Sequence, residues 1–308
     1  MAKKAEMLFS IISKHDEKSP LEADLVKGRS QWSYASRRFR RNRGAMIGLM
    51  GTIFIVLVAV AAPWITTYDP TKQTLRDGLL PPSSEHFFGT DQFGRDIYTR
   101  VVYGARISLR VGLIAVAIGV TIGVPVGITS GFYLGWLDIV VLRLVDLLLA
   151  FPSTLLALAI MTILGASLTN AMIAVGIAIV PQFLRIARGA TLSVKEMDYV
   201  MAARTVGGSD MHIMVRHILP NVLLPLIILT TMQIAGAVLF ASGLSFLGLG
   251  AQPPTPEWGA MLTAGRIYMR EAWWIPVFPG LAITVTILAM NMVGDGLRDA
   301  LDPQLTKR

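Results

Sequence analysis

An all-α protein that crosses a lipid bilayer about six times is the fold class this sequence predicts. Three observations carry that reading. Of 308 residues, 53% are hydrophobic and only 16% charged, well below the roughly 25% charged residues usual in soluble domains. Six apolar runs approach the about 20 residues that one helical span of a bilayer core requires. Basic residues crowd next to the first run, as they do on the cytoplasmic side of membrane proteins.

In chain order, residues 1–44 form a basic cytoplasmic arm with eleven Lys or Arg, ending in the cluster Arg37–Arg43. Lys3 and Lys4 precede only a short apolar patch, too small for a cleaved leader, so the first span, 45–65, is expected to stay as an anchor. Residues 66–106 read as an extracytoplasmic loop, with turn signals in "YDP" and "LLPPSSEHFFGTD". The arginine-flanked stretch 95–110 at its end reads as a helix at headgroup level before the chain turns in.

Residues 107–297 then form a core of five spans, at 107–129, 139–164, 171–184, 222–241 and 276–293. The turns "SGFYLGWLD" and "GASLTN" join the second, third and fourth of the six. The Pro- and Gly-rich stretch 245–274 between the last two is too broken for one helix, and its apolar start is expected to dip into protein or lipid. A cytoplasmic tail, 298–308, closes the chain. With both termini inside, nineteen basic residues lie inside, eight in the outer loops and their flanks, and Arg143 within a span.

The net charge of +8 admits a nucleic-acid reading, but its concentration beside the first span is accounted for by anionic headgroups, and no nucleic-acid partner is expected. The absence of cysteine excludes disulfides, thiolate metal sites and cysteine nucleophiles. Histidines 15, 86, 212 and 217 lack H-E-x-x-H spacing, so no metal site is expected.

The segment "YVMAARTVGGSDMHIMVRHILPN", Tyr199 to Asn221, lies in the inner loop 195–221 and is polar in an otherwise greasy chain. Residues 196–206 can form a short helix with Gly207 as a left-handed terminator. Ser209 can cap a second helix, in which Met211, Met214, Val215 and Ile218 fall at i, i+3, i+4 and i+7 on one face. Pro220 ends that run or starts the next span. The outcome is a bent pair of amphipathic helices at the inner surface. It either roofs the bundle or offers a knob to a cytosolic partner's groove, and periodicity alone leaves both open.

"AARTVG" (residues 202–207), nine further residues, then "HILP" (residues 217–220) resembles the EAA loop of ABC importer permeases. Met201 stands where the family has Glu, and His217 where it has Ile. "FGTDQFGRDIYTRVVYGARISL", "LSFLGLGAQPPTPEWGAML" and "GDGLRDALDP" agree with the same family. From residue 88 onward the chain resembles the second permease subunit of dipeptide and oligopeptide importers.

That resemblance implies a type I importer architecture in the cytoplasmic (inner) membrane of a bacterium. It implies a homologous permease partner, two ATP-binding subunits and an extracytoplasmic solute-binding protein. ATP and Mg would then sit on the partner ATPases, with no cofactor on this chain. Ala202, Ala203, Gly207, Ser209, Met211, Met214, Val215, Ile218 and Pro220 would form the coupling contact, and no residue would be catalytic. Consistent with this, the sequence has no G-x-x-x-x-G-K-[ST] phosphate loop, nor any Gly-Lys pair. Peptides are the expected solute, with glutathione or nickel chelates as alternatives within the same importer class.

A different class stays open on the residues alone. Arg143 and Asp146, one turn apart in the third span, could relay protons in an ion-coupled transporter, or snorkel and pair for structural reasons. Gln233 in the fifth span is a candidate pathway donor or interhelical hydrogen-bonding group. Asp91, Arg95 and Asp96 could meet a binding protein or brace the fold.

Overall fold

The computed structural model describes residues 31–301, so most of the basic arm, the end of the tail, and the expectations placed on them lie outside the described residues. A short basic helix, α1 (Gln31–Arg41), leads into α2 (Arg43–Ile65), whose start is capped by the Asn42 side chain. Then follow α3 (Ile97–Tyr133), α4 (Gly135–Leu149), α5 (Ser153–Leu164) and α6 (Leu168–Lys195). α7 (Asp198–Thr205), α8 (Asp210–Ile213) and a π-turn (Met214–Ile218) lead into α9 (Leu219–Phe246). The described chain closes with α10 (Trp258–Gly265) and α11 (Trp274–Leu301).

Five continuous helices among the described residues are long and apolar enough to cross a membrane: α2, α3, α6, α11, and the unbroken run from Asp210 to Phe246. The third expected span, 139–164, is instead two helices, α4 and α5, bent by 91°. Pro152 is the physical cause. It lacks an N–H for the helical ladder and disfavours helical geometry at the residue before it. At 15 and 12 residues, about 22 and 18 Å long, neither half spans a core of about 30 Å by itself.

No turn separates the helix expected at 95–110 from the span that follows it. Residues from Ile97 onward belong to α3, whose 37 residues run about 55 Å. The protein buries its first turns, including Ile97, Arg100, Val102 and Ala105. Arg100 is satisfied there by donating to the carbonyls of Pro70 (2.7 Å) and Pro254 (3.2 Å). The arginine-rich pattern that reads as interfacial is therefore partly an internal polar clamp.

α3 and α6 form the centre of the bundle. Gly119, Gly123, Gly127 and Gly131 recur every fourth residue along α3 and face α6. A Cβ at Gly127 would lie 2.5 Å from the Leu184 carbonyl oxygen, and one at Gly131 2.9 Å from that of Arg188. Lipid offers little hydrophobic drive for helices to associate, so close van der Waals packing through small residues supplies it. α2 packs on α11 in the same manner, with Gly48 against Ala289 and Met292.

At the end where α2 finishes and α3 begins, the connecting segments are knitted by buried polar groups. Asp96 caps α3 through the Thr99 N–H (2.7 Å) and lies 2.9 Å from His86 Nδ1. Arg95 Nε donates to Asp91 at 2.6 Å. Trp258 and Trp274 donate their indole N–H groups to the carbonyls of Val101 and Thr90. Buried Glu257 caps α10 and accepts the Ser242 hydroxyl. Asp91, Arg95 and Asp96 are all buried, so in this chain they brace the fold.

Candidate functional site

The opposite end of the bundle carries the basic residues and the polar elbow. α1 packs there against the end of α11, and Asn42 donates to Asp299 at 3.2 Å. The elbow begins with α7, which ends in a Schellman closure. The Gly208 N–H reaches the Ala203 carbonyl (3.0 Å), the Gly207 N–H reaches that of Arg204 (3.0 Å), and Gly207 sits at φ +85. Nothing lies within 4 Å of a Cβ built on Gly207, so the demand there is for backbone geometry and not for room. Ser209 then caps α8 by accepting from the His212 N–H (3.4 Å).

The four-residue apolar stripe does not form one face. Met214 and Ile218 are buried in the bundle together with Ile213, which the stripe had left out. Met211 and Val215 project outward at 66% and 54% exposure, beside the exposed His212 and Arg216. The π-turn at Met214–Ile218 widens the helix locally, and the inclusion of Ile213 rotates the buried arc away from the expected centre. Pro220 interrupts nothing: it follows the π-turn inside the unbroken run from Asp210 to Phe246. The second short helix is consequently the N-terminal extension of the Asp210–Phe246 span.

The exposed face of the elbow consists of Tyr199, Met201, Ala202, Val206, Met211 and Val215. Val206 stands at the apex with 85% of its surface open. Ala203 is half-buried against the core and Val200 wholly buried, so α7 is anchored by one side and presents the other. Contiguous exposed apolar side chains rimmed by charge mark a contact surface.

Three interactions tie this surface to the spans. The Arg204 guanidinium lies 5.3 Å over the ring of buried Phe132 at the end of α3. The neighbouring Tyr133 phenol lies against Asp210, at the start of α8. One helical turn further along, Asp138 of α4 receives a bidentate fork from Arg188 of α6, Nε at 2.6 Å and Nη2 at 2.7 Å, plus the Ser130 hydroxyl of α3. Bidentate guanidinium–carboxylate pairs are among the strongest protein hydrogen bonds. This one joins three helices immediately behind the elbow.

Sequence reasoning missed most of these partners because they are separated by 50 or more positions, as Asp138 and Arg188 are, and missed Ser130–Asp138 because the chain turns between α3 and α4. The pair it singled out, Arg143 and Asp146, is not joined. Asp146 lies 3.5 Å from Arg185 of α6, both side chains about 60% exposed, while Arg143 is exposed on its own. Arg143 and Asp146 therefore do not form a relay pair. Gln233 is half-buried in α9.

Because only the conformation of Gly207 is demanding, Gly207→Val is expected to leave the bundle assembled yet distort the elbow, at about 1–2 kcal/mol for a left-handed non-glycine residue. Protease susceptibility of the elbow should rise while the amount of membrane-inserted protein stays near that of the parent. Limited proteolysis of vesicles bearing each variant measures both.

Residues 123–307 match the family model described as binding-protein-dependent transport system inner membrane component, and residues 30–82 match the N-terminal TM domain of oligopeptide transport permease C. The chain is 44% identical over 287 residues to the dipeptide transport system permease protein DppC of Alkalihalophilus pseudofirmus, covering 93% of this chain and 94% of that one. It is 48% identical over 278 residues to the glutathione transport system permease protein GsiD of Escherichia coli O157:H7, covering 90% and 92%. Among solved structures it resembles an inward-facing conformation of the MetNI methionine ABC transporter, with a TM-score of 0.55 and 18% identity over 69% of this chain and 98% of that one.

Proposed function

This chain belongs to the binding-protein-dependent transport system inner membrane components, and from that premise we propose that it carries short peptides across the cytoplasmic membrane, driven by ATP hydrolysed on separate subunits. It is a membrane-spanning permease of an ABC importer, a class that works with ATPase and binding-protein components. In our reading the complex holds this chain, a homologous permease, two ATP-binding subunits carrying ATP and Mg, and an extracytoplasmic solute-binding protein. Both termini face the cytoplasm, and the chain has no catalytic activity of its own.

The observation that carries the reading is the elbow: an exposed apolar apex at Val206 on a helix whose other face is anchored in the bundle. ATPase subunits that close on ATP would grip that apex. The Arg204–Phe132 contact and the Asp138–Arg188–Ser130 junction would then pass the displacement to α3, α4 and α6 as one body. Packed interfaces of this kind switch between discrete arrangements and do not bend continuously.

Short peptides are favoured as solute because the relatives include permeases named for dipeptides, for peptides and for glutathione, and glutathione is itself a small peptide. The test is uptake into proteoliposomes holding this permease, its permease partner, its ATPases and its binding protein. Labelled dipeptide should accumulate only with ATP on the ATPase side and should continue after the proton gradient is collapsed. Uptake that ignores ATP and stops with the gradient overturns the proposal.

A further inference from the structure

Basic residues are disfavoured on the outer side of membrane proteins, so those found there call for a reason. Arg95 and Arg100 are buried in the polar clamp, and Arg266 lies over the Phe246 ring. Arg106 and Arg110 of α3 have no such role. Both are exposed, and neither has a hydrogen bond or ion pair among the described residues.

They are one helical turn apart and therefore neighbours on one face. No charged residue follows Arg110 until Asp138, which places the pair at the outer edge of the apolar core. Trp64, 78% exposed at the end of α2, marks the same level, since tryptophan concentrates at the membrane–water interface. The two arginines also line a groove of about 680 Å³ between α2 and α3, together with Val56, Ala59, Val60, Leu109, Leu113 and Ile114.

We propose that Arg106 and Arg110 hold the phosphate of an anionic phospholipid in the leaflet opposite the elbow, with an acyl chain lying in the groove between α2 and α3. Two guanidinium forks can donate to adjacent phosphate oxygens, and an apolar groove beside the charges matches a lipid better than a small soluble anion. A peptide carboxylate would need polar groups along its path, and the groove wall supplies aliphatic side chains. The site is independent of which solute the importer moves.

The experiment uses the assembled complex in nanodiscs containing a phosphatidylglycerol with a photoactivatable acyl chain, followed by peptide mapping. Labelling should concentrate on the α2 and α3 peptides that line the groove. It should fall by about tenfold or more in R106Q/R110Q, because both charges that attract the anionic headgroup are gone. R106K/R110K should retain most of it, and a phosphatidylcholine probe should label the groove weakly in every variant. Recovery of intact complex checks that the variants assemble. Three outcomes overturn the proposal: an unlabelled groove in the parent complex, meaning the partner permease covers it; equal labelling by both probes irrespective of the arginines; or displacement of the label by saturating transported peptide.

Discussion

Aspartate placed together at Val206, Met211 and Val215 is expected to abolish ATP-driven uptake while leaving the permease folded in the membrane. All three side chains are exposed, so their replacement removes little internal packing, and changes at open surface positions are usually small in stability. Against an ATPase groove the same charges would be desolvated without partners. Truncating a buried interface anchor costs about 2 kcal/mol or more, and three unpaired carboxylates should exceed that. Uptake and co-purification of the ATPases should both drop by more than about a hundredfold (1.4 kcal/mol is tenfold). Met214→Asp provides the contrast: that side chain is buried, and its variant should fail at the level of stable protein. If the triple variant transports normally with its ATPases bound, the elbow is not the contact.

The second large effect is expected at the junction behind the elbow. Arg188→Leu leaves Asp138, only 7% exposed, with the Ser130 hydroxyl as its remaining side-chain partner. Removing one member of a fully buried ion pair destabilises by about 3–5 kcal/mol; the Arg188 side chain is 21% exposed, so the loss here should fall below that range. Thermal unfolding of the purified complex should show that loss. Asp138→Leu combined with Arg188→Leu should recover most of the stability, since apolar replacement of a whole buried pair is often neutral. The combined variant should still transport poorly, because the rigid link between α3, α4 and α6 is gone. A single Arg188→Leu variant as stable as the parent would show that the pair does not hold these helices.

The spans at α2, α6, α9 and α11 are readable from the sequence because lipid imposes a simple demand: about 20 apolar residues with every backbone group paired internally. Gly207 and Ser209 are readable for a similar reason, since a left-handed terminator and a cap are local needs met by particular residue types. What is not readable depends on distant partners. Arg100 looks interfacial until Pro70 and Pro254 arrive to accept from it. The run 139–164 looks continuous in hydropathy, although Pro152 folds it back through 91°. The stripe at Met211 to Ile218 assumes a regular helix, and the π-turn divides it between core and surface. Val206 escapes notice altogether because it lies outside any periodic pattern, and only the bend at Gly207 raises it to the apex.

The chain contains no cysteine, so a single Val206→Cys variant carries one unambiguous thiol. In inside-out and right-side-out vesicles bearing the whole complex, that thiol should react with a membrane-impermeant maleimide only from the cytoplasmic face. It should form a crosslink of short span to an ATPase subunit, with a yield that changes when nucleotide closes the ATPases. A Val206→Cys thiol that is labelled from the outside, or that stays free of the ATPases in the intact complex, would contradict the assignment of the elbow as the point where the motor engages the permease.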